Sequence, residues 1–158
     1  MNSNNNGMDF LRAMHNIGKL NLSDELNIMA KSEMLIISTI LKSGDKELRV
    51  CDIAKRLNVS TPAVSRTLSR LEQKGCIKRT IDKTDRRNTH IKITQEGKNA
   101  FHSDMKIMGD FMDNSLKYLD KDEISQLIFL VKKLQNGIES EILKINKNNN
   151  EKDTMHNG

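Results

Sequence analysis

The chain has 158 residues, 36% of them hydrophobic and 30% charged, with one proline, eight glycines and a formal charge of +5. That length suits one domain with a core of its own, and the composition suits a protein built mainly of helices. It excludes a membrane span, since no run of eighteen apolar residues occurs, and a disulfide scaffold, since Cys51 and Cys76 have neither C-x-x-C nor four-ligand zinc spacing.

Charge is spread unevenly. Residues 49–98 hold thirteen Lys/Arg against five Asp/Glu, a balance of +8 that leaves −3 for the rest. A basic centre between mildly acidic ends is expected of a nucleic-acid footprint, because only that segment gains by releasing counterions from phosphates. Residues 1–7 lack the basic end and apolar stretch of a secretory leader, so a cytoplasmic location is expected.

In chain order, the asparagine-rich residues 1–7 read as a disordered tail. Phe10, Leu11, Met14, Ile17 and Leu20 then recur at helical spacing from Met8 to about Leu20. Ser32 is a candidate cap for a second helix, apolar on most sides, ending before Gly44. Val50, Ile53, Ala54 and Leu57 share one face of a short third helix, and after Asn58-Val59-Ser60 a fourth begins with Pro62 in its first turn and ends at Gly75. Ser60 or Thr61 is its candidate cap.

Two segments of strand character follow, Cys76–Ile81 and Thr89–Ile93, around a polar tip from Asp82 to Asn88. Thr94 is a candidate cap for a long fifth helix with one stripe of Phe101, Met105, Met108, Met112 and Leu119 and a second of Ile107, Phe111 and Tyr118. Asp120 and Glu123 have the spacing of a capping box, and Ile124, Leu127, Val131, Leu134, Ile138 and Ile145 recur behind them at coiled-coil-like spacing, interrupted by Glu141. Residues 148–158 read as a second disordered tail.

The fourth helix carries the functional signal. At 100° per residue, Val64, Leu68 and Leu71 lie on one side, and Pro62, Arg66, Ser69, Arg70 and Gln73 lie opposite. A short helix, a tight turn and a helix whose outer face mixes arginines with small hydroxyls are what reading a major groove requires: small residues permit close approach, and arginine matches guanine. In an isolated helix such arginines would be a solvated face; the neighbouring hairpin tip, with Lys83, Arg86 and Arg87, suits a minor groove. Asp85 among these cations is expected to hold a nearby arginine extended.

The stretch from Asp52-Ile53-Ala54-Lys55-Arg56-Leu57 through Ser60-Thr61-Pro62-Ala63-Val64-Ser65-Arg66 to Leu71-Glu72-Gln73-Lys74-Gly75 resembles regulators of the multiple-antibiotic-resistance (MarR) family. Asp85-Arg86-Arg87, followed by Ile91-Lys92-Ile93-Thr94-Gln95-Glu96-Gly97, resembles that family's wing signature ahead of a Thr-x-x-Gly helix start. Arg49 departs from the pattern, standing where the family often has a Ser or Thr cap.

The resemblance implies a mainly α, winged helix-turn-helix fold of about six helices plus a small β-wing. One domain would span 8–147, with a DNA-binding lobe at 32–98 and helical dimerisation regions at 8–31 and 99–147. It implies DNA contacts at Ser60, Thr61, Pro62, Ser65, Arg66, Ser69 and Arg70 in the helix and at Arg86 and Arg87 in the wing. The expected function is a homodimeric transcriptional repressor on a roughly palindromic duplex. The resemblance admits a small-molecule effector in a pocket beside Met105, Met108 and Phe111, but a methionine stripe at helical spacing is more often ordinary core, and no ligand-binding residue is assigned.

No cofactor, metal, membrane or catalytic role is expected: the sequence has no G-x-x-x-x-G-K, H-E-x-x-H or G-x-S-x-G. His15, His90, His102 and His156 lack metal-ligand spacing. The competing reading is a winged-helix adaptor whose basic face meets an acidic protein rather than DNA.

Overall fold

The computed structural model describes residues 5–44, 46–81 and 89–156, and the chain divides into two compact units, Met1–Asp110 and Phe111–Gly158. The first contains α1 (Asn6–Gly18), a single turn α2 (Leu22–Glu25), α3 (Lys31–Lys42), β1 (Leu48–Arg49), α4 (Val50–Leu57), α5 (Thr61–Gln73), β2 (Ile77–Ile81) and β3 (Thr89–Ile93). Helix α6 (Gln95–Leu116) carries the chain into the second unit, which holds α7 (Lys121–His156).

The core of the first unit lies where α3, α4 and α5 pack together and against the sheet. Ile37, Ile53, Leu68, Leu71, Ile77 and Ile91 are each at most 2% exposed, so every one of these elements delivers at least one side chain wholly out of water. The sheet is antiparallel in the order β1-β3-β2, with Leu48 opposite Ile91 and Ile77 opposite Ile93. Three helices with a strand pair returning beside the third make a winged helix-turn-helix.

Local chemistry sets the joints. The turn between α4 and α5 is closed by Asn58 at φ 52°, a left-handed conformation that asparagine tolerates better than most side chains. Arg49 occupies the cap position of α4, and the missing hydroxyl is made good by the Asp52 carboxylate, which accepts the Arg49 backbone N–H at 3.1 Å. Gly75 ends the α5 region at φ +70°, and the Cys76 N–H returns to the Leu71 carbonyl at 2.8 Å.

Thr94 then fastens the wing to α6: its hydroxyl donates to the Gly75 carbonyl at 2.7 Å and accepts the Gly97 N–H at 2.9 Å. A Cβ at Gly97 would fall 2.0 Å from the Cys76 carbonyl oxygen, so the Thr-x-x-Gly pattern reflects a close approach of two backbones.

Several sequence expectations change. Helix α3 starts one residue before Ser32, with Ala30 at its cap position; the Glu33 carboxylate accepts the Ala30 N–H at 3.2 Å and replaces the serine cap. Helix α6 stops at Leu116, so Tyr118 and Leu119 lie in the connection to α7 and leave the two helical stripes. The capping box forms as expected, Asp120 Oδ1 accepting the Glu123 N–H and Glu123 Oε2 accepting the Asp120 N–H, both at 2.8 Å.

Helix α1 begins at Asn6, inside the expected tail, and α7 continues to His156 through the asparagines at 148–150. Extending a formed helix by a poor residue costs far less than nucleating one.

Candidate nucleic-acid interface

Helix α5 presents two sides. Val64, Thr67, Leu68 and Leu71 are buried, whereas Thr61, Pro62, Arg66, Ser69, Arg70 and Gln73 are exposed and Ser65 is half-buried. Ser60 holds the cap position in extended backbone, without a side-chain bond to the helix, so its hydroxyl is left for another acceptor or donor. Ala63, Ser65, Arg66, Thr67, Ser69 and Arg70 line a shallow, open concavity. Seven of the nine expected contact residues, Ser60, Thr61, Pro62, Ser65, Arg66, Ser69 and Arg70, therefore lie on one cap and helix. Arg86, Arg87 and the orienting Asp85 lie outside the described residues.

Ser65 and Ser69 are engaged within the protein as well. Arg79, on β2, donates from Nη2 to Ser69 Oγ at 2.9 Å and to the Ser65 carbonyl at 3.4 Å, and its Nε lies 3.0 Å from Glu72 Oε2. Ser69 Oγ in turn donates to the Ser65 carbonyl at 3.0 Å. Arg70 Nη2 reaches the Thr67 hydroxyl at 3.4 Å, which holds its guanidinium against the helix.

Two more ties reach this lobe. Lys74, just past α5, donates from Nζ to both oxygens of Glu33 at 2.8 and 3.0 Å; Glu33 is 2% exposed. The Met29 N–H donates to Asp104 Oδ2 at 2.8 Å, joining the segment before α3 to α6. At the base of the wing, Glu47 pairs with Lys92 and lies 3.4 Å from His90 Nδ1.

Arg79, Glu33 and Lys74 were not singled out by sequence reasoning. Alternation along β2 puts Arg79 on the same face as the buried Ile77, a signal that the sequence reading passed over, and 41 residues separate Glu33 from Lys74.

A cavity of about 650 Å³ lies in the first unit, lined among others by Ile17, Leu20, Met34, Phe101, Met105 and Met108. Met105 and Met108, read from the sequence chiefly as core, are among its lining residues; Phe111 is not. Burial raises the Cys76 thiol above its ordinary range, which keeps it protonated, and Cys51 is exposed. Among the described residues there is no metal-ligating cluster and no helix long and apolar enough to cross a membrane.

A winged helix-turn-helix with exposed arginines on its third packed helix invites comparison with known regulators. The sequence model of the MarR family matches residues 29–89. The HTH-type transcriptional repressor MdtR of Bacillus subtilis is 30% identical over 110 residues, 70% of either chain. The chain belongs to the MarR family of DNA-binding transcriptional regulators.

Solved structures agree on the fold. The YusO protein of Bacillus subtilis superposes with a TM-score of 0.67 at 24% identity, over 86% of this chain and 99% of that one. Wild-type apo MarR of E. coli does so with a TM-score of 0.63 at 25% identity, over 80% and 95%.

Proposed function

We propose that this MarR-family regulator is a homodimeric repressor that seats α5 in the major groove of each half of a roughly palindromic operator and its wing in the adjoining minor groove. The single observation that carries this reading is the two-sided α5: apolar residues anchor one side, while Arg66 and Arg70 stand exposed on the other beside hydroxyls small enough for close approach. Ser60, Thr61 and Pro62 sit where the helix N-terminus meets phosphate or base edges. Arg86 and Arg87 supply the wing contact, with Asp85 orienting them. A cytoplasmic location follows from the target, duplex DNA.

Dimerisation is supported by apolar residues that remain in water. Phe10, Leu11, Met14 and Ile17 of α1 and Leu127, Val131, Leu134 and Ile138 of α7 are all at least 40% exposed, far more apolar surface than a monomer usually leaves open. A second copy related by a two-fold axis would cover these faces and set the spacing of the two recognition helices. On this reading residues 32–98 are the DNA-binding lobe, and 8–31 with 99–147 are the dimerisation region. The cavity beside Met105 and Met108 has the volume and apolar lining of a small-molecule site, and an apolar effector bound there would release the operator.

The test is binding to a duplex that the wild-type protein selects from a random-sequence pool, measured at several salt concentrations beside a scrambled duplex. Arg66→Ala should lower the preference by about 1–3 kcal/mol and relax it at one base position. Arg87→Ala should weaken binding to both duplexes and reduce the slope of log affinity against log salt by about one. A wild-type protein that enriches no sequence would favour the adaptor reading.

A further inference from the structure

The recognition helix has a third edge, the flank between its buried side and the outer arginines. Ser65, Ser69 and Glu72 follow one another along the flank of α5, between the buried residues and Arg66. Arg79 from β2 reaches all three, with Nε at 3.0 Å from Glu72 Oε2 and Nη2 at 2.9 Å from Ser69 Oγ and 3.4 Å from the Ser65 carbonyl. Its side chain is 27% exposed, so most of its surface is covered by the protein.

We propose that Arg79 is a specificity-determining positioning residue: it fixes the rotation of α5 about its own axis against the wing strand β2. This rests on the DNA-binding reading above. Val64, Leu68 and Leu71 hold α5 to the core by apolar contacts, which are strong but not directional. A guanidinium that hydrogen-bonds a hydroxyl and a carbonyl through Nη2, with Nε paired in charge to a carboxylate, is directional through those two hydrogen bonds. Rotating a helix by about 10° moves its side-chain surface by on the order of 1 Å, enough to spoil a bidentate contact between Arg66 and a base.

The same strand that carries Arg79 leads into the wing, so the link also sets where the wing stands relative to the reading face. Glu72 is the one acid in α5, and the guanidinium neutralises a carboxylate that would otherwise repel phosphate at this surface. Because its charge is met within the protein, Arg79 itself makes little contribution to the salt dependence of binding.

The experiment compares wild type, Arg79→Lys and Glu72→Gln on the pool-selected duplex and on its scrambled counterpart, with thermal unfolding followed in parallel. Lysine keeps the charge but lacks the guanidinium's rigid set of donors. Arg79→Lys should lose about tenfold of the preference for the selected duplex, the scale of one mis-set base contact, with the wild-type salt slope retained. A preference within about twofold of wild type, or a slope lower by about one as for a lost phosphate contact, overturns the proposal.

Glu72→Gln removes no volume and keeps the test alive if the lysine variant fails to fold. It should lower the preference as well, because the amide grips the guanidinium less firmly. Uniform tightening on both duplexes would mean that the carboxylate merely repels DNA, and would also overturn the proposal. Failure of wild type to enrich any sequence would instead sink the DNA-binding reading itself.

Discussion

The lobe built from α3, α4, α5 and the sheet and the long helix α7 use similar apolar side chains to opposite ends. In the lobe, Ile37, Ile53, Leu68 and Leu71 are fully out of water, each filled around by neighbours from other elements. In α7 no described side chain is buried, although Leu127, Ile128, Leu130, Val131, Leu134 and Ile138 crowd its length. The difference teaches that the lobe's stability is a property of one chain, whereas on the dimer reading the apolar faces of α7 gain theirs from a second copy. Lobe unfolding should therefore be independent of protein concentration where association is not.

The largest effect should come from the lobe. Leu68→Ala removes a side chain at 0% exposure from the contact of α5 with the core. It should cost about 4 kcal/mol in urea unfolding, with a midpoint shift that is the same at dilute and concentrated protein. A cost below about 1 kcal/mol would mean that the lobe is looser than its burial indicates, and would break the comparison from that side.

Close behind is the pair Val131→Glu with Leu134→Glu, at positions 56% and 40% exposed. Each change counts twice in a symmetric dimer, and burying the remaining half of each side chain is worth about 1 kcal/mol, so dimerisation should weaken by about 4 kcal/mol. Sedimentation equilibrium would read this as a monomer at concentrations where wild type is dimeric, with the lobe still folded by circular dichroism. A monomeric wild type would remove the contrast altogether.

Much of this division was legible in the sequence, for a physical reason. Burial on one face of a helix imposes a 3.6-residue period, and Val64, Leu68 and Leu71 display it, so the outward placing of Arg66 and Arg70 followed from local spacing alone. What escaped was whatever depends on partners distant in sequence or on segments too short to show a period. Strand β1 has two residues and is defined by Leu48 facing Ile91, and α2 is one turn. Gly97 announced itself as part of a Thr-x-x-Gly pattern, but the reason, the Cys76 carbonyl 2.0 Å from where a Cβ would lie, exists only in three dimensions. Arg79 stood in phase with Ile77 on its strand, but that its partners would be Glu72, Ser65 and Ser69 of α5 exists only in three dimensions. The apolar stripe of α7 was visible too, and with it the expectation that it meets a partner helix.

The Glu33–Lys74 pair sharpens the comparison within the lobe. Glu33 is 2% exposed while the Lys74 side chain is 51% exposed, so the two halves of the pair are unequal. Lys74→Met leaves a buried carboxylate with the Ala30 N–H as its partner among the described residues and should cost about 1–2 kcal/mol. Glu33→Gln leaves an ammonium that turns out to water, and should cost less. Denaturant unfolding of the two variants decides it: equal costs would show the pair to be a surface contact, worth little to the end of α5.

The smallest effect is a pH dependence confined to the first turn of α6. The carboxyl of Glu96 is held below its ordinary 4.5, first by a hydrogen bond from its own backbone N–H and next by the Thr94 hydroxyl. Since that hydroxyl already donates to the Gly75 carbonyl at 2.7 Å, the backbone bond is the dependable cause. A carboxyl lowered by folding contributes stability that is fully present above its unfolded value, and that contribution is lost as pH falls through the lowered one. Acidification from pH 5 should therefore weaken the lobe slightly, and Glu96→Gln should remove that part of the slope while leaving association through α7 unmoved. Carboxyl resonances followed by NMR supply the direct check: a Glu96 midpoint at or above 4.5 would detach this turn from the Thr94 joint that ties the wing to α6.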